Sequence, residues 1–431
     1  MSMGGTVNVE PLNPASAEDQ RAQQRILPLV ILMFFAWGFC TVLVDTLIPK
    51  LKAVFALSYV EVMLTQFCFF LAYFVVSLPA GWLLSRLGYL RTIMAGLLIM
   101  AIGCMLFTPA AALGVYPAFL AALFILASGI TIIQVAANPL AAILGDPTRS
   151  HARLTLAQGF NSIGTMLAPL FGSALILASG LVMPDLSRMT PDALSTFRKH
   201  EATVFQMPFT LIAGVLVALA LLCWFLRRAP VPAATPAVGG SYGRVLKNPR
   251  LSLGALSIFV YVGAEVAIGS AMVNFLMQGS SIDAHHAGNM VAIYWGLAMV
   301  GRFIGAQLLR RMHAASLLCV CAAAAALMAA GSTQLTGVTA IVMILSIGLF
   351  NSVMFPNIFS LAIETLGKDA ASGSGVLCLA IVGGAIVPMI FGYVADHVGL
   401  TYAYFVPALC YAWIAAYGFM LRKGRLELAK A

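Results

Sequence analysis

Charged residues are scarce in this chain of 431 residues. Asp, Glu, Lys and Arg make up only 9% of it, whereas 61% of the residues are hydrophobic. A water-soluble domain carries about 25% charged and about 45–50% apolar residues. Because so few charged side chains cannot cover a surface that faces water, the composition excludes a soluble domain. It indicates a polytopic membrane protein embedded in a lipid bilayer.

Several chemical signatures are missing as well. The eight cysteines all lie in apolar segments, without a CxxC motif or a Cys/His cluster at metal-ligand spacing, so we expect neither a disulfide framework nor a metal site. The sequence has no Walker motif and no recognisable nucleophile–base pair, so we expect no enzyme activity and no cofactor. The net charge of +9 comes from basic residues in short loops without interleaved aromatics, which argues against a nucleic-acid partner.

Twelve apolar runs are long enough to cross a bilayer, which takes about 20 residues in a helix. They are 26–49, 60–84, 91–110, 115–143, 153–180, 205–226, 251–278, 287–309, 315–331, 336–365, 372–395 and 402–421. The polar residues 181–204, between the fifth and sixth runs, are predicted to form an external loop.

A basic segment rich in Pro, Gly and Ala (residues 227–250) divides the runs into six plus six. The two halves resemble each other weakly, since Asn161–Pro169 and Ala380–Pro388 end in the same Gly-x4-Pro pattern. These features predict an all-α membrane protein of two pseudo-symmetric six-helix bundles, the major-facilitator fold. The predicted parts are a disordered tail (1–25), the first bundle (26–226), the linker (227–250), the second bundle (251–421) and a second tail (422–431).

The positions of the basic residues predict the orientation of the chain. If the N-terminus is cytoplasmic, most of the 24 lysines and arginines fall in cytoplasmic segments, as the positive-inside rule requires. We therefore expect a multi-pass protein of the inner membrane with both termini, and the linker, in the cytoplasm. Residues 1–25 have no apolar core of a signal peptide, so no cleavage is expected.

Ionisable residues inside the apolar runs are few. Asp45 and Glu265 each lie in the first run of one half, and Arg302 lies in the eighth run. A carboxylate in a medium of low dielectric constant takes up a proton more readily than one in water. We interpret Asp45 and Glu265 as cation-coupling residues, and Arg302 as a structural or gating residue. The alternative is that all three are structural groups bonded to neighbouring helices.

Paired amides mark the fourth and fifth runs. In "QVAANPLAAILGD", Gln134 and Asn138 are four residues apart, and in "LAQGFNSIG", Gln158 and Asn161 are three apart, so each pair shares a helix face. An amide both donates and accepts hydrogen bonds, which suits the hydroxyls of a polyol. Pro139 frees backbone groups and is predicted to bend the helix. The alternative is that the amides only bond neighbouring helices together.

Further candidates are weaker individually. Predicted substrate contacts in the second half are Asn274, Asn351 and Asn357, and the aromatic candidates for stacking on a sugar include Trp37 and Tyr261. The arginines at the ends of runs are predicted to be structural or gating residues; these are Arg86, Arg91 and Arg153.

Seven stretches together resemble the fucose permease branch of the major facilitator superfamily, most closely its glucose/galactose transporter group. They are "FFAWGFCTVLVDTLIPKLK", "QVAANPLAAILG", "RLTLAQGFNSIGT", "YVGAEVAIGS", "YWGLAMVGRFIG", "GLFNSVMFPNIFSLAIETLGK" and "GSGVLCLAIVGGAIVP". The resemblance covers about residues 26–421. It implies twelve helices, cytoplasmic termini, a monomer, and sugar uptake driven by a cation gradient.

The resemblance also implies roles for single residues. In the fucose permease, carboxylates at the positions of Asp45 and Gln134 serve sugar binding and proton coupling, and the equivalents of Gln158 and Asn161 line the sugar cavity. This chain departs at Gln134, which cannot titrate, and the glucose/galactose group is similar to it there and at Glu265. It departs again at Ser85, where the superfamily commonly has an aspartate.

The sequence thus predicts a hexose transporter in symport with a proton, working by alternating access. A sodium-coupled symporter remains open, because an acid can also contribute an oxygen to sodium. A proton-coupled exporter of drugs or metabolites would have the same fold but a wide apolar cavity. A membrane sensor of sugar, or an assembly partner, would be expected to carry a signalling domain.

Overall fold

The computed structural model describes residues 26–43, 59–113, 115–172, 191–227, 242–278 and 284–424. These residues are almost entirely helical, as the composition predicts. The α-helices in these ranges are α1 (Ile26–Leu43), α2 (Tyr59–Leu87), α3 (Tyr89–Leu113), α4 (Tyr116–Ile143), α5 (Ser150–Gly172), α6 (Pro191–Leu226), α7 (Tyr242–Leu246), α8 (Pro249–Gln278), α9 (Ala284–Leu308), α10 (Ala314–Ser332), α11 (Gly337–Asn351), α12 (Met354–Ile363), α13 (Ala370–Leu379), α14 (Gly383–Val398), α15 (Leu400–Ala403) and α16 (Phe405–Arg422).

Eleven helical stretches within these ranges are long and apolar enough to cross a membrane. Three of them combine two consecutive helices: α11 with α12, α13 with α14, and α15 with α16. They correspond to eleven of the predicted runs, and α5 corresponds to the twelfth. Helix α5 has 23 residues but a low mean hydropathy, because His151, Arg153, Gln158 and Asn161 interrupt its apolar sequence. Large apolar side chains such as Phe225 and Met389 point outward, where lipid would solvate them.

Helix α6 begins earlier than the sequence predicts. The sequence predicts an external loop over residues 181–204, yet the helix runs without a break from Pro191 to Leu226. A search for apolar runs finds only the part of a helix that lies in lipid. Proline is well placed in the first turn of a helix, where its missing N–H would have no partner anyway.

Glycines let neighbouring helices approach closely within each half. A Cβ atom at Gly103 would overlap Leu126, and one at Gly129 would overlap Met100, so α3 and α4 are in backbone contact. In the second half, Gly348 lies directly against the backbone of Tyr294. Lipid offers no hydrophobic drive for helix association, so such close contact supplies much of the attraction.

The two halves meet along a seam formed by α2, α4 and α5 on one side and by α9, α12 and α13 on the other. At Gly81 and Gly375 the backbones of α2 and α13 nearly touch. The seam is closed at the end of the molecule that carries the turns at Gly88, Asp146–Arg149, Arg310–His313 and Gly367–Asp369. We call this end the basic face. There, Arg244 of α7 pairs with Asp369 at 2.9 Å.

Candidate functional site

A cavity of about 160 Å³ lies between the two halves. The first half lines it with Trp37, Tyr73, Gln134, Gln158 and Asn161, and the second half lines it with Tyr261, Val262, Glu265, Arg302, Phe355 and Ile381. Six of the predicted substrate-binding or coupling residues therefore meet at one place, together with Arg302. A larger cavity of about 290 Å³ lies within the second half, beside Gln278 and Thr333; none of the described residues that line it is charged, and none belongs to the seam.

The amides of the first half are held by specific partners. Gln134 donates from Nε2 to the hydroxyl of Tyr73 at 2.6 Å, and Gln158 donates from Nε2 to Oδ1 of Asn138 at 3.3 Å. Asn161 donates from Nδ2 to the backbone carbonyl of Phe34 at 2.8 Å. Because each amide retains its second N–H or its carbonyl oxygen, the wall offers both donors and acceptors in fixed orientations.

Helix α1 is shaped to receive Asn161. A Cβ atom at Gly38 would overlap both the amide and the backbone carbonyl of Asn161. One turn along α5, Gly164 lies against the backbone of Phe35 in the same way. The close approach of α1 and α5 thus places Asn161 at the cavity wall, next to the buried ring of Trp37.

Glu265 faces the cavity from α8. Its Oε1 accepts a hydrogen bond from the hydroxyl of Tyr261, one turn away, at 2.9 Å. The same hydroxyl lies 3.2 Å from the backbone carbonyl of Asn351. Tyr261 is buried and Glu265 is only partly covered, so the carboxylate is the accessible member of the pair.

Arg302 lines the cavity and also forms hydrogen bonds across the seam. Its Nη1 donates to the backbone carbonyl of Gln158 at 3.3 Å and to the hydroxyl of Ser162, both on α5 of the other half. Its Nε donates to the carbonyl of Ser352 at 3.4 Å. The guanidinium therefore holds α9 of the second half against α5 of the first.

The model of the Major Facilitator Superfamily matches residues 26–380. The chain belongs to this superfamily. A glucose/galactose transporter of Brucella abortus biovar 1 (strain 9-941) is 47% identical over 411 residues, which are 94% of this chain and 97% of the relative. The L-fucose-proton symporter of Escherichia coli (strain K12) is 31% identical over 425 residues, 95% of this chain and 97% of the relative.

A solved structure is similar throughout. The crystal structure of FucP, a transporter of the same superfamily in the outward conformation, superimposes on this chain with a TM-score of 0.86. The two are 31% identical, and the match covers 93% of this chain and 99% of FucP. These matches confirm the resemblance to the fucose permease branch and to its glucose/galactose group, and they confirm the predicted fold. This facilitator is therefore a multi-pass membrane transporter, in a family of transporters rather than enzymes.

Not every predicted substrate contact of the present chain reaches the cavity. Asn138 is fully buried behind Gln158, and Asn351 donates to the hydroxyl of Tyr294 at 2.8 Å within the second half. Asn357 is also fully buried, and its amide has no hydrogen-bond partner among the described residues. Asn274 is exposed on α8, away from the cavity lining.

The three arginines predicted to be structural or gating residues of this chain lie in different environments. Arg153 donates to the carbonyls of Ala141 and Ala142, at 3.3 and 2.6 Å, and so closes the end of α4. Arg86 and Arg91 are exposed at the basic face. Asp45 lies outside the described residues, so its role as a coupling residue stays a prediction.

Several residues in or next to the cavity were not predicted from the sequence. Val262, Phe355 and Ile381 add apolar surface to the cavity, and nothing in their local sequence distinguishes them from other membrane residues. Ser162 was not singled out either, although it lies one turn from Gln158 on the same helix face. That spacing was the signal available.

Proposed function

We propose that this facilitator takes up a hexose-type sugar in symport with a proton, by alternating access of the central cavity. The observation that carries the proposal is the composition of the two cavity walls. One wall presents the amides of Gln134, Gln158 and Asn161, and the other presents the carboxylate of Glu265 beside Tyr261. The printed names of the relatives, a glucose/galactose transporter and an L-fucose-proton symporter, support the same substrate class.

The amide wall favours a neutral, hydroxylated ligand. A sugar hydroxyl donates one hydrogen bond and accepts others, and each amide offers both capacities. The rings of Trp37 and Tyr261 add apolar surface to the same cavity, suited to the C–H face of a sugar ring. An exporter of apolar drugs would need a wide apolar cavity, and this one is small and polar.

The pairing of Glu265 with Tyr261 favours proton coupling. When Glu265 is ionised, the hydroxyl of Tyr261 donates to it. When Glu265 is protonated, it can donate to the Tyr261 oxygen, while the Tyr261 proton turns to the carbonyl of Asn351. Both protonation states then keep their hydrogen bonds, so the carboxyl group can gain and lose a proton without leaving a buried group unpaired.

The orientation belongs to the proposal as well. The exposed arginines at the basic face agree with a cytoplasmic location of that face under the positive-inside rule. We therefore place both termini in the cytoplasm and the facilitator in the inner membrane as a monomer. Since the seam is closed at the basic face, the described state is one in which the cavity does not open to the cytoplasm.

The decisive test is uptake of labelled glucose, galactose and fucose into proteoliposomes. A proton gradient and a sodium gradient are imposed separately, with wild type, Glu265→Gln and Asp45→Asn side by side. We expect accumulation of a hexose under the proton gradient and its loss in at least one variant. Accumulation under sodium alone would replace the proton by sodium, and no accumulation of any sugar would reject the symporter.

A further inference from the structure

Pro139 leaves one backbone carbonyl of α4 without its helical partner. In an α-helix the carbonyl of residue i accepts from the N–H of residue i+4. Proline has no N–H, so the carbonyl of Val135 has no donor within α4, although the helix continues from Tyr116 to Ile143. Val135 is fully buried, where a carbonyl without a partner is costly.

The missing donor comes from the other half of the molecule. The hydroxyl of Ser374, on α13, donates to the Val135 carbonyl at 2.6 Å across the seam. Ser374 is itself fully buried. The bond therefore joins the two halves through a carbonyl that lacks its helical donor because residue 139 is proline.

The second half has a related arrangement at the junction of α11 and α12. Pro356 lies in the first turn of α12, so it offers no N–H to the carbonyl of Ser352, the residue at the C-cap of α11. That carbonyl accepts from Nε of Arg302 at 3.4 Å, and the same guanidinium reaches Ser162 across the seam. In each half, a side chain that takes part in the seam thus bonds to a backbone carbonyl that a proline leaves without a donor.

We propose that Ser374 is a positioning residue for transport: by bonding to the carbonyl that Pro139 frees, it holds the seam closed at the basic face and fixes the turn of α4 that carries Gln134. Val135 follows Gln134 directly, so the bond lies one residue from the cavity wall. Opening of the basic face must break this bond, and water then replaces the serine. The part that concerns transport rests on the proposed function; the closure of the seam does not.

The test measures closure without sugar or gradient. Cys378 lies one turn beyond Ser374 on α13 and is fully buried. Its rate of alkylation by N-ethylmaleimide is measured in the purified full-length protein by mass spectrometry. Ser374 also contacts the Cys378 thiol, and this contact is lost equally in both backgrounds compared below, so the difference between the backgrounds reports opening of the seam. The buried Cys104 within the first half is the internal control. Ser374→Ala should raise the Cys378 rate about tenfold, the effect of one lost buried hydrogen bond.

The discriminating variant is Pro139→Ala. An alanine at 139 supplies the missing N–H, so the Val135 carbonyl is satisfied within α4 whether or not Ser374 is present. In that background Ser374→Ala leaves no buried carbonyl without a donor, so it should raise the Cys378 rate by a smaller factor than in the wild-type background. If Ser374→Ala alone folds poorly, the double variant should restore folding. Ser372→Ala, the same change two residues away on α13, should behave as wild type.

An equal increase from Ser374→Ala in both backgrounds would overturn the proposal, and so would a double variant that folds no better than Ser374→Ala. Sugar uptake by the same variants is then a separate measurement. If no variant or wild type transports sugar, the proposed function fails, while the alkylation result on the seam stands or falls by itself.

Discussion

The hydroxyl of Tyr261 lies within hydrogen-bond distance of two acceptors but has one proton to give. Glu265 Oε1 is 2.9 Å away and the carbonyl of Asn351 is 3.2 Å away. The direction of the first bond therefore depends on whether Glu265 carries a proton. Under the proposed function, this carboxyl group at the cavity carries the transported proton.

Glu265→Gln should separate sugar movement from the gradient. Glutamine is nearly the same size and can still bond to Tyr261, but it cannot release a proton. We expect accumulation of sugar against a gradient to fall at least about tenfold, while exchange of internal for external sugar persists. Counterflow in proteoliposomes measures the exchange. Full accumulation by Glu265→Gln would remove this residue from the coupling scheme and leave Asp45 as its candidate.

Tyr261→Phe should move the pH dependence of transport upward. The tyrosine hydroxyl stabilises the ionised form of Glu265 by donating to it, and its loss favours the protonated form. The pH at which uptake is half-maximal should therefore rise, because the ionised carboxylate loses a hydrogen-bond donor. Uptake measured from pH 5 to 9 checks this. Tyr294→Phe, which removes a neighbouring buried hydroxyl bonded to Asn351 instead, is the control.

Gln158→Ala and Asn161→Ala should weaken sugar binding. Each removes an amide from the cavity wall, and a lost hydrogen bond to a neutral ligand costs about 0.5–1.5 kcal/mol. We expect the Kd for sugar, from isothermal titration calorimetry, to rise about three- to tenfold. Asn274→Ala removes an amide that is exposed outside the cavity and should leave the Kd unchanged. Unchanged binding in the two cavity variants would make these amides contacts between helices only.

Gly38→Ala should disturb the site without removing a polar group. The added methyl group overlaps Asn161 and its backbone, so α1 and α5 must separate. We expect a loss of thermal stability of about 1–3 kcal/mol from overpacking, together with weaker sugar binding. Gly214→Ala on α6 meets no atom within 4 Å and should be neutral or slightly stabilising. Equal behaviour of the two variants in a thermal unfolding assay would contradict the close fit at Gly38.

Arg250 should be a stability residue of the second half. Its Nε donates to the carbonyl of Leu361 at 2.6 Å and its Nη2 pairs with Glu364, while its backbone carbonyl accepts from Tyr417 at 3.0 Å. Arg250→Met should lower the stability by about 2 kcal/mol, less than for a fully buried pair because Glu364 is half-exposed. Thermal unfolding in detergent measures it, with the exposed Arg310→Met as the control. A melting temperature equal to that of wild type would assign no stabilising role to the pair.

Part of the site could be predicted because residues three or four apart in a helix lie on the same face. Gln158 and Asn161 are three residues apart, and both reach the cavity. Helical spacing does not distinguish Gln134 from Asn138, which share a face of α4. Gln134 lines the cavity, whereas Asn138 lies behind Gln158. A helix face spans several ångströms of depth, and the spacing does not say which residue of the pair ends at the surface. Asn274 was predicted to contact substrate but is exposed on α8. It is a single amide, so no second polar residue in the sequence indicates which way its helix face points.

The sequence alone shows that the chain lies in lipid, and it predicts twelve membrane-spanning helices. Runs of about 20 apolar residues must be helices in lipid, because every backbone group has to be paired within its own segment. That constraint is local, so composition and run length suffice to predict twelve helices in two halves. Which helices face each other across the seam is not a local property. Gly38 beside Asn161, Glu265 opposite the amide wall, and Ser374 on the carbonyl freed by Pro139 each join residues that are far apart along the chain. Only the packing of the two bundles brings these residues together.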